Sequence, residues 1–127
     1  MSLSALNTAL SGLQTASLRQ MAAATNIARA GGASVADPAR DAGPIEVVAT
    51  ASPQGVRGAL VARDPGWLPE HDPSNPAADK DGTVFVPNIS IEQEAISAIS
   101  AEAAYMANLK MLEVSRDMQD ELLDIIG

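Results

Sequence analysis

From Leu3 to Ala30 the larger apolar residues fall at Leu3, Leu6, Leu10 and Leu13 and then, past small or polar positions, at Ala24 and Ile27. Steps of three and four put them on one stripe of an α-helix. Frequent alanines raise the helix propensity, and Gly12 costs about 1 kcal/mol against it. Ser2 or Ser4 offers an N-cap, and Gly31-Gly32 a stop. A second periodic run follows Ser90, with Ile96, Ile99, Ala103, Met106, Leu109, Met111, Leu112, Val114, Met118, Leu122, Leu123, Ile125 and Ile126 forming a broad stripe that drifts around the axis. Ser90 with Gln93 makes a capping-box pattern, and Glu92 and Glu94 suit the positive end of the helix dipole. The two helices would be about 42 Å and about 54 Å long at 1.5 Å per residue.

The chain between them has a different texture. All eight prolines fall between Pro38 and Pro87, which excludes a long helix there. Ile45–Ala49 and Ala59–Ala62 read as two short strands joined through Ser52-Pro53-Gln54-Gly55, with Thr83–Val86 a third. Asp64 to Gly82 reads as an acidic surface loop. The fold class expected is mainly α: long N- and C-terminal helices packed as a coiled-coil-like pair, with a small β-rich, Pro/Gly-rich central insert. One domain spans 1–127, made of an N-terminal helix (1–31), the insert and loop (32–88) and a C-terminal helix (89–127). Neither apolar stripe has enough partners within so short a chain, so both ask for neighbours.

Composition sharpens this. With one Trp, one Tyr and one Phe in 127 residues, the apolar content is aliphatic, which favours helix seams over a thick core. The net charge of -8 argues against a nucleic-acid surface, which needs clustered Lys and Arg. Cysteine is absent, so disulfides, thiolate metal sites and Cys nucleophiles are excluded. There is no run of about 20 apolar residues to span a bilayer, nor a basic start and apolar core of a secretory signal. Residues 1–36 carry two arginines and no acid, whereas residues 88–127 carry eight acids against two bases. The ends are therefore complementary in charge, although most of the acids read as a solvated face.

Catalysis needs a base, a nucleophile and a group to orient them. His71, the single histidine, reads as an exposed loop residue. Asp79-Lys80-Asp81-Gly82 lacks the first and twelfth ligands of a calcium loop, with Ala77 and Asn88 at those places, and reads as a turn. Asn88-Ile89-Ser90 matches a glycosylation sequon, but capping suits Ser90 better. Met106, Met111 and Met118 read as packing residues. Trp67, in a Pro/Gly loop, should dock on something, in this chain or a neighbour. No cofactor or metal is expected, and the chain is not read as an enzyme.

Met21-Ala22-Ala23-Ala24-Thr25-Asn26-Ile27-Ala28-Arg29-Ala30 resembles the N-terminal signature of bacterial flagellar rod, hook and hook-associated proteins, with Thr25 for the usual Ser and Arg29 for the second Asn. His71 to Val84, followed by Pro87-Asn88-Ile89, resembles the motif of the FlgC-type proximal-rod family through Asp72, Pro73, Asn75, Pro76, Asp79, Gly82, Pro87 and Asn88. The run Glu102 to Asn108, with Tyr105 and Asn108, is similar to that family's C-terminal motif, Glu102 standing where the family often has a basic residue or Ser.

The resemblance implies a structural subunit of the flagellar basal-body proximal rod, which transmits torque from the membrane ring to the distal rod and hook. It implies export by the flagellar type III apparatus into the periplasmic rod. The expected partners are other proximal and distal rod proteins and the rod–ring junction protein, with no nucleic acid or small-molecule substrate. Subunit packing is expected at Leu6, Leu10, Leu13 and Ile27 in the first helix and at Ile96, Ile99, Met106, Leu109 and Leu122 in the second. Asn26 and Asn108 are expected as polar locks near helix ends at a subunit contact. The alternative is a soluble coiled-coil adaptor or secretion chaperone forming a small oligomer, which would be a folded helical dimer on its own.

Overall fold

A computed structural model of the chain describes residues 2–32 and 34–127, apart from the Ser2 side chain. Two long helices, α1 (Ser2–Ala30) and α2 (Ile91–Ile126), flank four strands, β1 (Ile45–Ser52), β2 (Gly55–Ala62), β3 (Trp67–His71) and β4 (Thr83–Pro87). The strands form two antiparallel pairs, β1 with β2 and β3 with β4. Of the two expected caps for α1, Ser4 lies inside the helix, where its carbonyl accepts the Thr8 hydroxyl. The Ser2 side chain lies outside the described residues. The helix stops where Gly32 N–H turns back onto the Arg29 carbonyl.

α1 is the central element, with α2 along one side and the β1–β2 hairpin along another. The helices run antiparallel, since Gly12 meets Asn108 while Ala22 and Ala23 share a cleft with Glu94 and Ser97. Their seam is made mostly of small side chains. The less exposed positions of α2, among them Glu94, Ala98, Ala101, Ala104, Asn108, Leu112, Ser115 and Gln119, recur every three or four residues. Opposite them Ala9, Leu13, Ala16 and Ala23 are buried. Gly12, which helix propensity marks as a cost, stands at this crossing. A Cβ at that position would overlap the Asn108 carboxamide.

The hairpin is longer than the two short strands expected. Ser52 and Gly55 belong to its strands and pair with each other, leaving Pro53-Gln54 as the turn. Antiparallel pairing continues back to Ile45 opposite Ala62. β2 lies close against α1 at two glycines. A Cβ on Gly55, whose φ is 129°, would lie 3.0 Å from Thr8 Cα, and one on Gly58 would press on Thr15 and Leu18 at 3.2 Å. Val56 N–H also donates to Ser11 Oγ at 3.0 Å.

β3 corrects the surface-loop expectation for 64–82. Trp67–His71 pairs with β4 in register from Trp67 opposite Pro87 to His71 opposite Thr83. The prolines and acids around this segment masked a strand with few apolar residues. His71 is exposed, as expected, but it closes a strand rather than sitting in a loop. On the other side of β4, Val35 and Phe85 exchange two backbone hydrogen bonds of 2.9 Å. Trp67 docks within the chain, its indole nitrogen 3.0 Å from where a Cβ on Gly43 would stand.

Candidate assembly surfaces

The seam uses mostly small residues of α2, with Leu112, and leaves most of the large ones facing outward. Ile96 and Ile99 are each 67% exposed, and Met106, Leu109 and Leu122 are exposed as well. Met111, Val114 and Met118 add further apolar area, each about half exposed. On α1, Leu10 and Ile27 are exposed and Leu6 is half-buried, whereas Leu13 is buried within the chain. A shallow groove of about 570 Å³ between the helices is lined by Leu10, Leu13, Gln14, Ser17, Leu18 and Tyr105. Burial of such aliphatic surface contributes roughly 25 cal/mol per Å². The outward stripe is therefore a strong drive to associate.

Asn26 and Asn108 act inside the chain, which corrects their expected places. Asn26 is fully buried. Its Nδ2 donates to the Ile45 carbonyl at 2.7 Å, and Ile45 N–H donates to its Oδ1 at 2.9 Å. One carboxamide thus satisfies both backbone groups at the start of β1. Asn108 lies mid-helix, its Nδ2 donating to the Ala104 carbonyl at 2.8 Å while the amide packs on Gly12. Arg29, standing for the family's second Asn, donates to the Gly43 carbonyl at 2.6 Å.

The residues of the central motif build a loop and tie it down. Asp72 accepts from the backbone and hydroxyl of Ser74, and these bonds hold its carboxyl below the ordinary aspartate range, the Ser74 hydroxyl first. Asn75 Oδ1 accepts from Ala77 N–H, and its Nδ2 donates to Ser34 Oγ at 2.7 Å. Asp79 Oδ1 accepts from the N–H groups of Asp81 and Thr83, both at 2.9 Å, so this stretch is the turn expected of it. Gly82 has φ of 75°, and a Cβ there would press on Pro73 at 2.9 Å. Pro73 and Gly82 therefore close the loop on each other, and Pro76 is exposed beside them. Asn88 is bound twice to the 63–66 turn, donating from its side chain to the Pro65 carbonyl and from its backbone to the Gly66 carbonyl.

Sequence reasoning missed Arg63. Its guanidinium donates to the Asn88 carbonyl at 2.9 Å and to Glu94 Oε1 at 2.7 Å, with Glu46 at 3.8 Å. The Arg63 side chain is 24% exposed and that of Glu94 only 6%. Glu94 is thus a buried partner, not a free charge at the helix start. The fork joins the hairpin to the first turn of α2. Ser90 does cap that turn, accepting from Gln93 N–H at 3.4 Å, while its hydroxyl donates to Glu92 instead of Gln93 answering back. Its own backbone N–H and then the Ser90 hydroxyl hold the Glu92 carboxyl below its ordinary range.

Among the described residues the charge complementarity between the ends is not spent on ion pairs. Among the described residues the four ion pairs are Arg40–Asp37, Arg63–Glu46, Arg63–Glu94 and Lys110–Glu113, none of which joins α1 to α2. Nor do three or more His, Asp or Glu side chains among the described residues gather as a metal site.

Residues 80–125 match the family model described as the flagellar basal body rod FlgEFG protein C-terminal. Outside that model, the curated flagellar basal-body rod protein FlgC of Agrobacterium fabrum is 35% identical over 60 residues, 47% of this chain and 43% of that protein. The chain is similar to the FlgC-type flagellar basal-body rod proteins. That of Borreliella burgdorferi is 36% identical over 78 residues, 58% of this chain and 51% of its own. In Yersinia enterocolitica the figures are 34% over 74 residues, 56% and 54%. The matches thus span about half the length of these FlgC relatives. They bear out the resemblance read from the motifs.

Proposed function

We propose that this chain is a structural subunit of the bacterial flagellar proximal rod, built into the basal body through α1 and α2, and not an enzyme. The observation that carries the proposal is the outward stripe of α2. A folded chain that leaves Ile96, Ile99, Met106 and Leu109 exposed, within the segment similar to rod proteins, is completed by neighbours. Its place is the periplasmic rod, reached by flagellar type III export, and its neighbours are the other rod proteins and the rod–ring junction protein. The mechanical role is to pass torque from the membrane ring to the distal rod and hook. Stiffness would come from helices packed on several sides at once, in coiled-coil-like layers whose side chains cannot slide without losing contacts.

Deleting the gene and restoring it from a plasmid tests this. The deletion is expected to abolish motility and leave basal bodies without a rod, and the wild-type gene is expected to restore both. Normal swimming by the deletion strain would refute the proposal.

A further inference from the structure

The hairpin keeps one open edge. Ile45 gives both of its backbone groups to Asn26, Val56 N–H turns away to Ser11 Oγ, and Arg63 N–H closes across the hairpin on the Pro44 carbonyl. In an antiparallel ladder this pointing alternates along each strand. Glu46, Val48 and Thr50 therefore bond to β2, while Val47, Ala49 and Ala51 turn their N–H and C=O outward. Among the described residues no hydrogen bond reaches these outward groups. The β2 edge is less open, since α1 lies against it at Val56 and Gly58. Exposed edges are ordinarily blunted by Lys, Pro or a bulge. The run Val47-Val48-Ala49-Thr50-Ala51-Ser52 has no charge and no Pro, and its register is unbroken.

We propose that this edge pairs with the same edge of a second copy, β1 antiparallel to β1 about a two-fold axis at Ala49. Three observations select that occupant. The open groups are bounded by the Asn26 clamp at Ile45 and by the Pro53-Gln54 turn, so the open run is centred on Ala49 and an antiparallel copy matches it end to end. Val47 then faces Ala51 of the second copy and Ala49 faces Ala49, and these pairs exchange about six hydrogen bonds. No like charges meet, because Glu46 falls opposite Ser52. Val48, 47% exposed, falls opposite Thr50, a β-branched cross-strand pair that stabilises a sheet. A chain of copies would need the β2 edge, where α1 stands in the way. The contact uses the same patch on both copies, so it closes as a dimer. It involves neither terminal helix and is independent of the rod reading.

Sedimentation equilibrium of the purified full chain, with amide exchange at several concentrations, tests this. A dimer is expected as concentration rises, and exchange at Ala49 and Ala51 should slow as it forms. Ala49→Lys sets two like charges together at the axis and is expected to weaken the dimer at least tenfold, as is Ala49→Asp. A mixture of the two variants is expected to associate again, because only a residue that meets its own copy gains from that exchange of sign. Ala51→Pro removes an outward N–H, which an edge strand tolerates, and is expected to abolish the dimer with helix content unchanged by circular dichroism. Should that variant unfold, the Ala49 pair decides. A chain that stays monomeric, association that survives Ala49→Lys, or a mixture that stays apart would overturn the proposal.

Discussion

Gly12 of α1 and Asn108 of α2 share one place at the helix crossing, where the missing Cβ of the first makes room for the carboxamide of the second. From that crossing the less exposed positions of α2 recur every three or four residues along α1. Mostly small residues fill the seam, and most of the large ones are turned outward.

On helix propensity alone Gly12→Ala would stabilise by about 1 kcal/mol. At this crossing the new methyl displaces Asn108, so a net loss is expected. Asn108→Ala in the same chain is expected to recover the propensity gain, giving a coupling of about 1 kcal/mol or more in a double-mutant cycle measured by urea unfolding. Additive effects would show that the crossing is looser than described.

Asn26→Ala leaves the part-buried N–H and C=O of Ile45 without their side-chain partner. A loss of about 2 kcal/mol is expected in chemical denaturation. Asn26→Asp should lose more, since it replaces a donor facing a carbonyl by a charge.

Arg63→Ala leaves Glu94 buried without its cation and frees the Asn88 carbonyl. A loss of about 3 kcal/mol is expected, with faster amide exchange in β1 and the first turn of α2. Arg63→Lys should recover little, because one ammonium lacks the fork that reaches both partners.

Asp72 governs the pH response of the β3–β4 loop. Its carboxyl titrates below the ordinary 3.8 in the folded chain, so its contribution is complete above that value and is lost as pH falls through the lower folded pKa. Amide exchange at Ser74 and Asn75 is expected to quicken only under acid. In Asp72→Asn that acid step should vanish, which exchange at two pH values would reveal.

Helix boundaries and the hairpin were legible because each rests on local chemistry: periodicity, the Ser90 cap, the Gly31-Gly32 stop and the Pro53-Gln54 turn. β3 was hidden because Pro69, Glu70 and His71 carry no strand signature and are held by the partner strand. The exposed apolar positions of both helices were legible only in part, since Leu13 has the same stripe spacing as Leu10 yet is covered by its own chain. Arg63 and Glu94 gave no signal, being 31 residues apart and brought together only by the fold.

The central claim is that α2 keeps its large apolar face for the assembled rod, and a cysteine at Ile99 tests it most directly. Ile99→Cys is expected to react rapidly with a maleimide in the free folded chain and to be blocked in purified basal bodies that contain it. Equal labelling in both would contradict the account.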